Sequence, residues 1–143
     1  MIKTATKSPM SKMPLPAKNY LHRELSLLAF NRRVLAQTQD ERVPLLERLR
    51  FLCIVSSNLD EFFEIRMAGI KEQIRAQSSS VSVDGKTPQE TYRLVSAQVH
   101  RLVDEQYQVL NQMILPQLAE QGIRFLRRAT WTPEQREWIH QYF

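Results

Sequence analysis

Asn58 is the residue of this chain best placed to do chemistry. It stands in Ser56-Ser57-Asn58-Leu59-Asp60-Glu61-Phe62-Phe63-Glu64-Ile65-Arg66, where small polar residues, a carboxylate pair and two aromatics interrupt an otherwise apolar stretch. Polar groups in such surroundings are costly unless paired. The segment therefore either caps a buried helix or presents polar atoms to a ligand. A cap uses only the amide oxygen, so the Asn58 N–H₂ would remain available to a ligand. Asp60, Glu61 and Glu64 could gather a cation, but acids in the first turn of a helix are the usual partners of its dipole.

Other chemistry finds little support. His22, His100 and His140 are far apart in sequence, and none is spaced with a second ligand as a metal site requires. His100 lies mid-helix, as a phosphate-relay histidine would. The lysine and glycine that usually follow such a histidine are missing from Arg101-Leu102-Val103. There is no glycine-rich phosphate loop and no nucleophile paired with a base. Cys53, in Arg50-Phe51-Leu52-Cys53-Ile54-Val55, reads as a small core residue with nothing nearby to lower its pKa.

The elements that must position Asn58 read as helices. Glycine is scarce, with three residues, so helix boundaries are set by caps and prolines. A first helix is expected from Ser26, as N-cap, to about Gln39, with Leu27, Phe30 and Val34 as its apolar stripe and Leu28 and Leu35 widening it. Asp40 to Val43 make a turn, and Pro44 opens a second helix whose leucines cover most of its surface. Such a helix belongs at the centre of a bundle. A third helix is expected to start at Asn58, with Glu61 completing a capping box. Its buried stripe would be Leu59, Phe63, Met67, Ile70 and Ile74, fading by Gln77 before the loop Ser78 to Lys86. Thr87-Pro88-Gln89-Glu90 is the clearest helix start. From it a helix about 45 Å long runs to Gln121, with Pro116 expected to kink it and Gly122 to end it. Beyond, Ile123 to Leu126 suggest a short strand and Thr132-Pro133-Glu134-Gln135 a last helix.

The fold class expected is all-α, an antiparallel helical bundle with one long C-terminal helix. Residues 1–18 form a disordered basic tail, 19–122 the helical domain, and 123–143 the truncated start of a second, α/β domain. Net charge is +5, but Lys3, Lys7, Lys12 and Lys18 supply most of it in a stretch without acids. The domain itself is nearly neutral, which argues against a nucleic-acid partner. No apolar run reaches the roughly 18–20 residues of a membrane span, and no secretory leader is evident. One cysteine permits no internal disulfide. A cytoplasmic location follows, with peripheral attachment to a membrane left open.

Three blocks carry a resemblance. Arg23-Glu24-Leu25-Ser26-Leu27-Leu28-Ala29-Phe30-Asn31-Arg32-Arg33-Val34-Leu35, Pro44-Leu45-Leu46-Glu47-Arg48-Leu49-Arg50-Phe51-Leu52 and Ser56-Ser57-Asn58-Leu59-Asp60-Glu61-Phe62-Phe63 are similar, in order and spacing, to the N-terminal domain of bacterial polyphosphate kinases. The likeness covers roughly residues 20–122 and continues more weakly to 143. Leu27 departs from it, since the family often carries tryptophan there. The resemblance implies an enzyme that moves the terminal phosphate of ATP onto polyphosphate, reversibly, through a phosphohistidine and with Mg²⁺ as cofactor. It places that histidine and the metal ligands in later domains, so no catalytic or metal residue is expected here and the chain alone should be inactive. It assigns this domain the adenine of ATP, contacted by Asn58, and a share of the contacts in a homodimer or higher oligomer. ATP, ADP and polyphosphate are the implied partners. The alternative is a non-enzymatic helical interaction module, which would hold a partner helix in an apolar groove.

Overall fold

The computed structural model describes residues 15–126 and 128–142. Three long rods form the bundle. The first is α1 (Arg23–Gln37). The second runs without a break through α2 (Leu45–Glu61), a π-helical stretch (Phe62–Met67) and α3 (Ala68–Arg75). The third runs through α4 (Pro88–Val109), a π-helical stretch (Leu110–Ile114) and α5 (Leu115–Glu120). Cross-rod bonds give the directions. Asn58 pairs with Asn31, and Arg48 with the Thr38 carbonyl, so the second rod runs antiparallel to α1. His22 meets Thr91 and Arg32 meets Glu105, so the third rod runs parallel to α1. The all-α bundle is as expected; rods consecutive in the chain run antiparallel, whereas α1 and α4 pack side by side in parallel.

The core lies along the shared axis, from Leu28, Leu35, Leu52, Val55 and Phe62 to Val95, Val99, Leu102 and Leu118. In α1 the buried line is Leu28, Asn31 and Leu35, whereas Leu27 and Phe30 are half exposed. The expected stripe through Leu27, Phe30 and Val34 is thus displaced by about one residue. The polar Asn31 at the middle of the true line hides it from a hydrophobic pattern. His22, not Ser26, is the N-cap, its Nδ1 accepting from the Leu25 N–H. In α2 the buried side is Arg48, Leu52, Val55 and Leu59, and Leu46, Cys53 and Ile54 are exposed. The second rod is therefore not enclosed, and Cys53 is not a core residue. Three rods can cover only one side of each helix.

Asn58 does not begin a helix. Its carbonyl accepts the N–H of Phe62, inside a continuous rod. The expected break is replaced by a change of register. Buried positions run Val55, Leu59, Phe62, and the next α-helical step would bury Arg66. The π-helical stretch, with the Ala68 N–H reaching the Phe63 carbonyl, inserts one residue, so Met67 enters the core instead. Phe63 is consequently exposed rather than part of the stripe. The third rod repeats the device: Gln106 and Val109 are followed in the core by Ile114, across a π-type bond from the Leu115 N–H to the Leu110 carbonyl. This widened turn precedes Pro116, whose ring would crowd the carbonyl of Gln112 in a regular helix.

The ends follow local chemistry. Thr87 and Glu90 close both bonds of a capping box with Pro88 at the first helical position. Gly122, at φ +82°, ends α5, with the Ile123 N–H on the Leu118 carbonyl and the Gly122 N–H on the Ala119 carbonyl. Of the tail expected over residues 1–18, residues 1–14 lie outside the described residues. Residues 15–18 are not shapeless: a 3₁₀ turn spans Ala17–Asn19, and the Leu15 N–H donates to the Tyr20 hydroxyl. Ile123 to Leu126 form no strand. A 3₁₀ turn (Arg128–Thr130) and α6 (Pro133–Tyr142) follow, capped by Thr132 as expected. No residue of α6 is buried.

Candidate functional site: the Asn31–Asn58 cleft

Asn58 lies on the exposed shoulder of the second rod, beside α1. Its side chain lines a cleft of about 180 Å³ together with Leu27, Phe30, Glu61, Phe62 and Arg66. Each wall has a local cause. Leu27 and Phe30 face the cleft because α1 buries the line one residue further on. Arg66 reaches it because the inserted residue of the π-helical stretch sends Met67 to the core. The Arg33 guanidinium lies 5.8 Å from the centre of the Phe30 ring, within cation–π range.

The polar heart of the cleft is a pair of amides. Asn58 Nδ2 donates to Asn31 Oδ1 at 2.8 Å. Asn31 is fully buried, and its own Nδ2 has no hydrogen-bond partner among the described residues. Asn58 is half-buried, and its Oδ1 makes no hydrogen bond to a described residue. The sequence reading singled out Asn58 and missed Asn31. The signal was present, since Asn31 stands midway between Leu28 and Leu35 at helical spacing.

The other candidates stay apart. Asp60, Glu61 and Glu64 are exposed, and among the described residues no three His, Cys, Asp or Glu side chains gather to hold a metal ion. His22 is half-buried at the start of α1, with Nε2 3.2 Å from Thr91 Oγ1. His100 is exposed and bonded to the Ser96 carbonyl on its own helix, and His140 is exposed on α6. A second polar cluster lies within the loop that joins α3 to α4. There burial pushes the Asp84 carboxyl up, but hydrogen bonds from Lys86 and Ser82 outweigh it and hold its pKa at about 2.

The family model for the polyphosphate kinase N-terminal domain matches residues 20–126. The chain belongs to the polyphosphate kinase family. A polyphosphate kinase of Neisseria meningitidis serogroup B is 54% identical over 130 residues, 90% of this chain. Polyphosphate kinases of Burkholderia ambifaria and Pseudomonas putida are 54% and 52% identical over 86% and 87% of it. The chain spans only 17% to 19% of the length of these relatives. No solved structure gives a significant match. No helix among the described residues is long and apolar enough to cross a membrane.

Proposed function

We propose that this domain is the nucleotide-facing part of a polyphosphate kinase and that Asn58 contacts the adenine ring of ATP. One observation carries the reading: Asn58, whose amide oxygen has no hydrogen-bond partner among the described residues, lines a cleft with Leu27, Phe30 and Phe62. Flat apolar side chains accept the face of a heterocycle, and a single polar atom fixes its edge. The cleft is smaller than the roughly 300–1,000 Å³ of sites that enclose a whole drug-sized ligand. It suits a base, with the ribose and phosphates held elsewhere.

The reaction of the whole protein is the reversible transfer of the terminal phosphate of ATP to polyphosphate through a phosphohistidine. The metal Mg²⁺ would supply charge neutralisation at the phosphates. The described residues do not fit a metal site, and neither that ion nor the reacting histidine is assigned to this chain. The half-exposed apolar residues of the outer faces, Leu46 and Ile54 among them, suit contact with other domains or a second subunit. The 143-residue chain alone is expected to show no turnover and weak ATP binding.

The test is Asn58→Ala in the full-length polyphosphate kinase carrying this domain. KM for ATP should rise roughly three- to tenfold, the value of one hydrogen bond, with KM for polyphosphate unmoved. A lowered melting temperature with an unchanged KM for ATP would reduce Asn58 to a packing residue.

A further inference from the structure

We infer that the basic face of α6, together with Arg128 in the turn before it, is a binding site for a chain of phosphates, here polyphosphate. The inference rests on the polyphosphate reading above and goes beyond it, by naming residues of this chain that hold the polymer.

Arg128, Trp131, Arg136, Ile139 and His140 line a cavity of about 640 Å³. Two guanidinium groups and an imidazole thus meet at one opening, and none of its described walls is a carboxylate. An unpaired surface arginine is ordinary, but this chain pairs arginines readily elsewhere: Arg32 with Glu105, Arg42 with Asp40, Arg50 with Glu47 and Arg75 with Glu72. Arg128 and Arg136 have no ion pair among the described residues, although Glu134 and Glu137 stand on the same helix as Arg136. Those acids are engaged elsewhere. Glu134 accepts from its own N–H and from the Thr132 side chain at the helix start, and Glu137 accepts from the Gln141 amide.

α6 has two unlike faces. Arg136 and His140, four residues apart, share one. Trp138 and Tyr142 share another, about 200° round the axis, and their rings stack with centroids 5.3 Å apart. Both aromatics are exposed. The aromatic face suits cover by protein, and the basic face can then stay open to a charged ligand. Guanidinium groups hold phosphate oxygens through paired N–H donors. One phosphate would engage one such fork, whereas donors from a turn and from two levels of a helix suit successive units of a polymer. A nucleic acid also offers phosphates, but its bases seek free aromatic faces. The indole in this cavity is half-buried, with Nε1 donating to the Leu126 carbonyl at 3.2 Å.

The experiment measures binding of long-chain polyphosphate, carrying a fluorophore at one end, to the full-length enzyme with no nucleotide present. Arg128→Gln and Arg136→Gln should each raise Kd about two- to fivefold, and the pair roughly tenfold. The slope of log Kd against log salt should fall by about 0.7–0.9 for each arginine removed. Arg128→Lys with Arg136→Lys, which keeps the charges, should retain most of the affinity. An oligonucleotide of equal charge should bind less tightly and lose nothing in the glutamine pair. Both arginines are exposed, so the fold should survive, as an unchanged melting temperature would show. If the pair nonetheless fails to fold, Arg136→Gln alone decides by the same two readouts. A folded variant with the Kd and salt slope of the parent would overturn the inference. So would an oligonucleotide whose binding falls as far as that of polyphosphate. In either case the proposed function stands without this site. If the unmodified enzyme binds no polyphosphate at all, the polyphosphate reading falls with it.

Discussion

Two buried polar side chains of this bundle, Asn31 and Arg48, each keep one nitrogen without a hydrogen-bond partner among the described residues. Their surroundings differ. Arg48 is locked between elements: Nε donates to the Thr38 carbonyl at 2.7 Å, just past the end of α1, and Nη1 to Gln117 Oε1 on α5 at 2.8 Å. Thr38 is itself tied back, its hydroxyl on the Leu35 carbonyl. One guanidinium thus ties all three rods at one end, and its positive charge faces the negative end of the α1 dipole. Asn31 makes a single side-chain bond, to a residue that lines a cleft. Burial of a polar group is therefore not in itself a mark of function. Arg48 and Gln117 also line a cleft, of about 500 Å³, but the guanidinium makes two cross-rod bonds, whereas Asn31 makes one.

Loss of Arg48 should have the largest effect on stability. Arg48→Ala empties a buried volume and leaves the Thr38 carbonyl and Gln117 unpaired. We expect a loss of about 2–4 kcal/mol, measured by denaturant unfolding of the 143-residue chain. In the full-length enzyme the surviving folded fraction should keep the KM for ATP of the parent. A raised KM with a preserved unfolding midpoint would erase the distinction between the two regions.

The Asn31–Asn58 pair should give a smaller effect that is coupled within the pair. In a double-mutant cycle with Asn31→Leu and Asn58→Ala, the interaction energy should be about 1 kcal/mol. Asn58→Ala combined with Arg48→Ala should instead be additive within about 0.5 kcal/mol. The ten residues between them along one helix correspond to about 15 Å, and they share no partner. Equal coupling in both cycles would mean that the cleft and the pin are one network.

Much of this was legible in the sequence because local chemistry dictated it. Thr87 and Glu90 close their capping box, Gly122 ends α5 at positive φ, and Thr132 starts α6, each through groups within a few residues. Asn58 stood out because a small polar residue in an apolar run needs a partner. What local reading could not supply was the partner. The Asn58 amide donates to Asn31 on another rod, so the helix has no need to break there. A polar run that looked like punctuation is instead an uninterrupted helix with a π-helical register shift after it. The same blindness placed Cys53 and Phe63 in the core, since which side of a helix is covered depends on how many neighbours it has.

The smallest effect on nucleotide use, none, is expected at Asp84, a third enclosed polar group and a control for the comparison. Its side chain is only 4% exposed. Oδ2 accepts from Lys86 Nζ at 2.6 Å and Oδ1 from the Ser82 hydroxyl, inside a turn where Gly85 takes φ +85°. The folded pKa of about 2 lies below the roughly 3.9 of an unfolded chain. The unfolded state therefore binds more protons between these values, and stability rises with pH across that window. The contribution of Asp84 should be complete above about pH 4 and lost as pH falls through about 2. Asp84→Asn should remove that portion of the pH dependence and loosen residues 82–86, seen as faster amide exchange at Gly85 and Lys86. Because this network, like that of Arg48, shares no residue with the Asn58 cleft, nucleotide KM should not change. A carboxyl titration midpoint near 3.9 would show that the Lys86 and Ser82 bonds do not hold Asp84 in solution. A shifted KM for ATP would show that a polar cluster sharing no residue with the cleft can govern it.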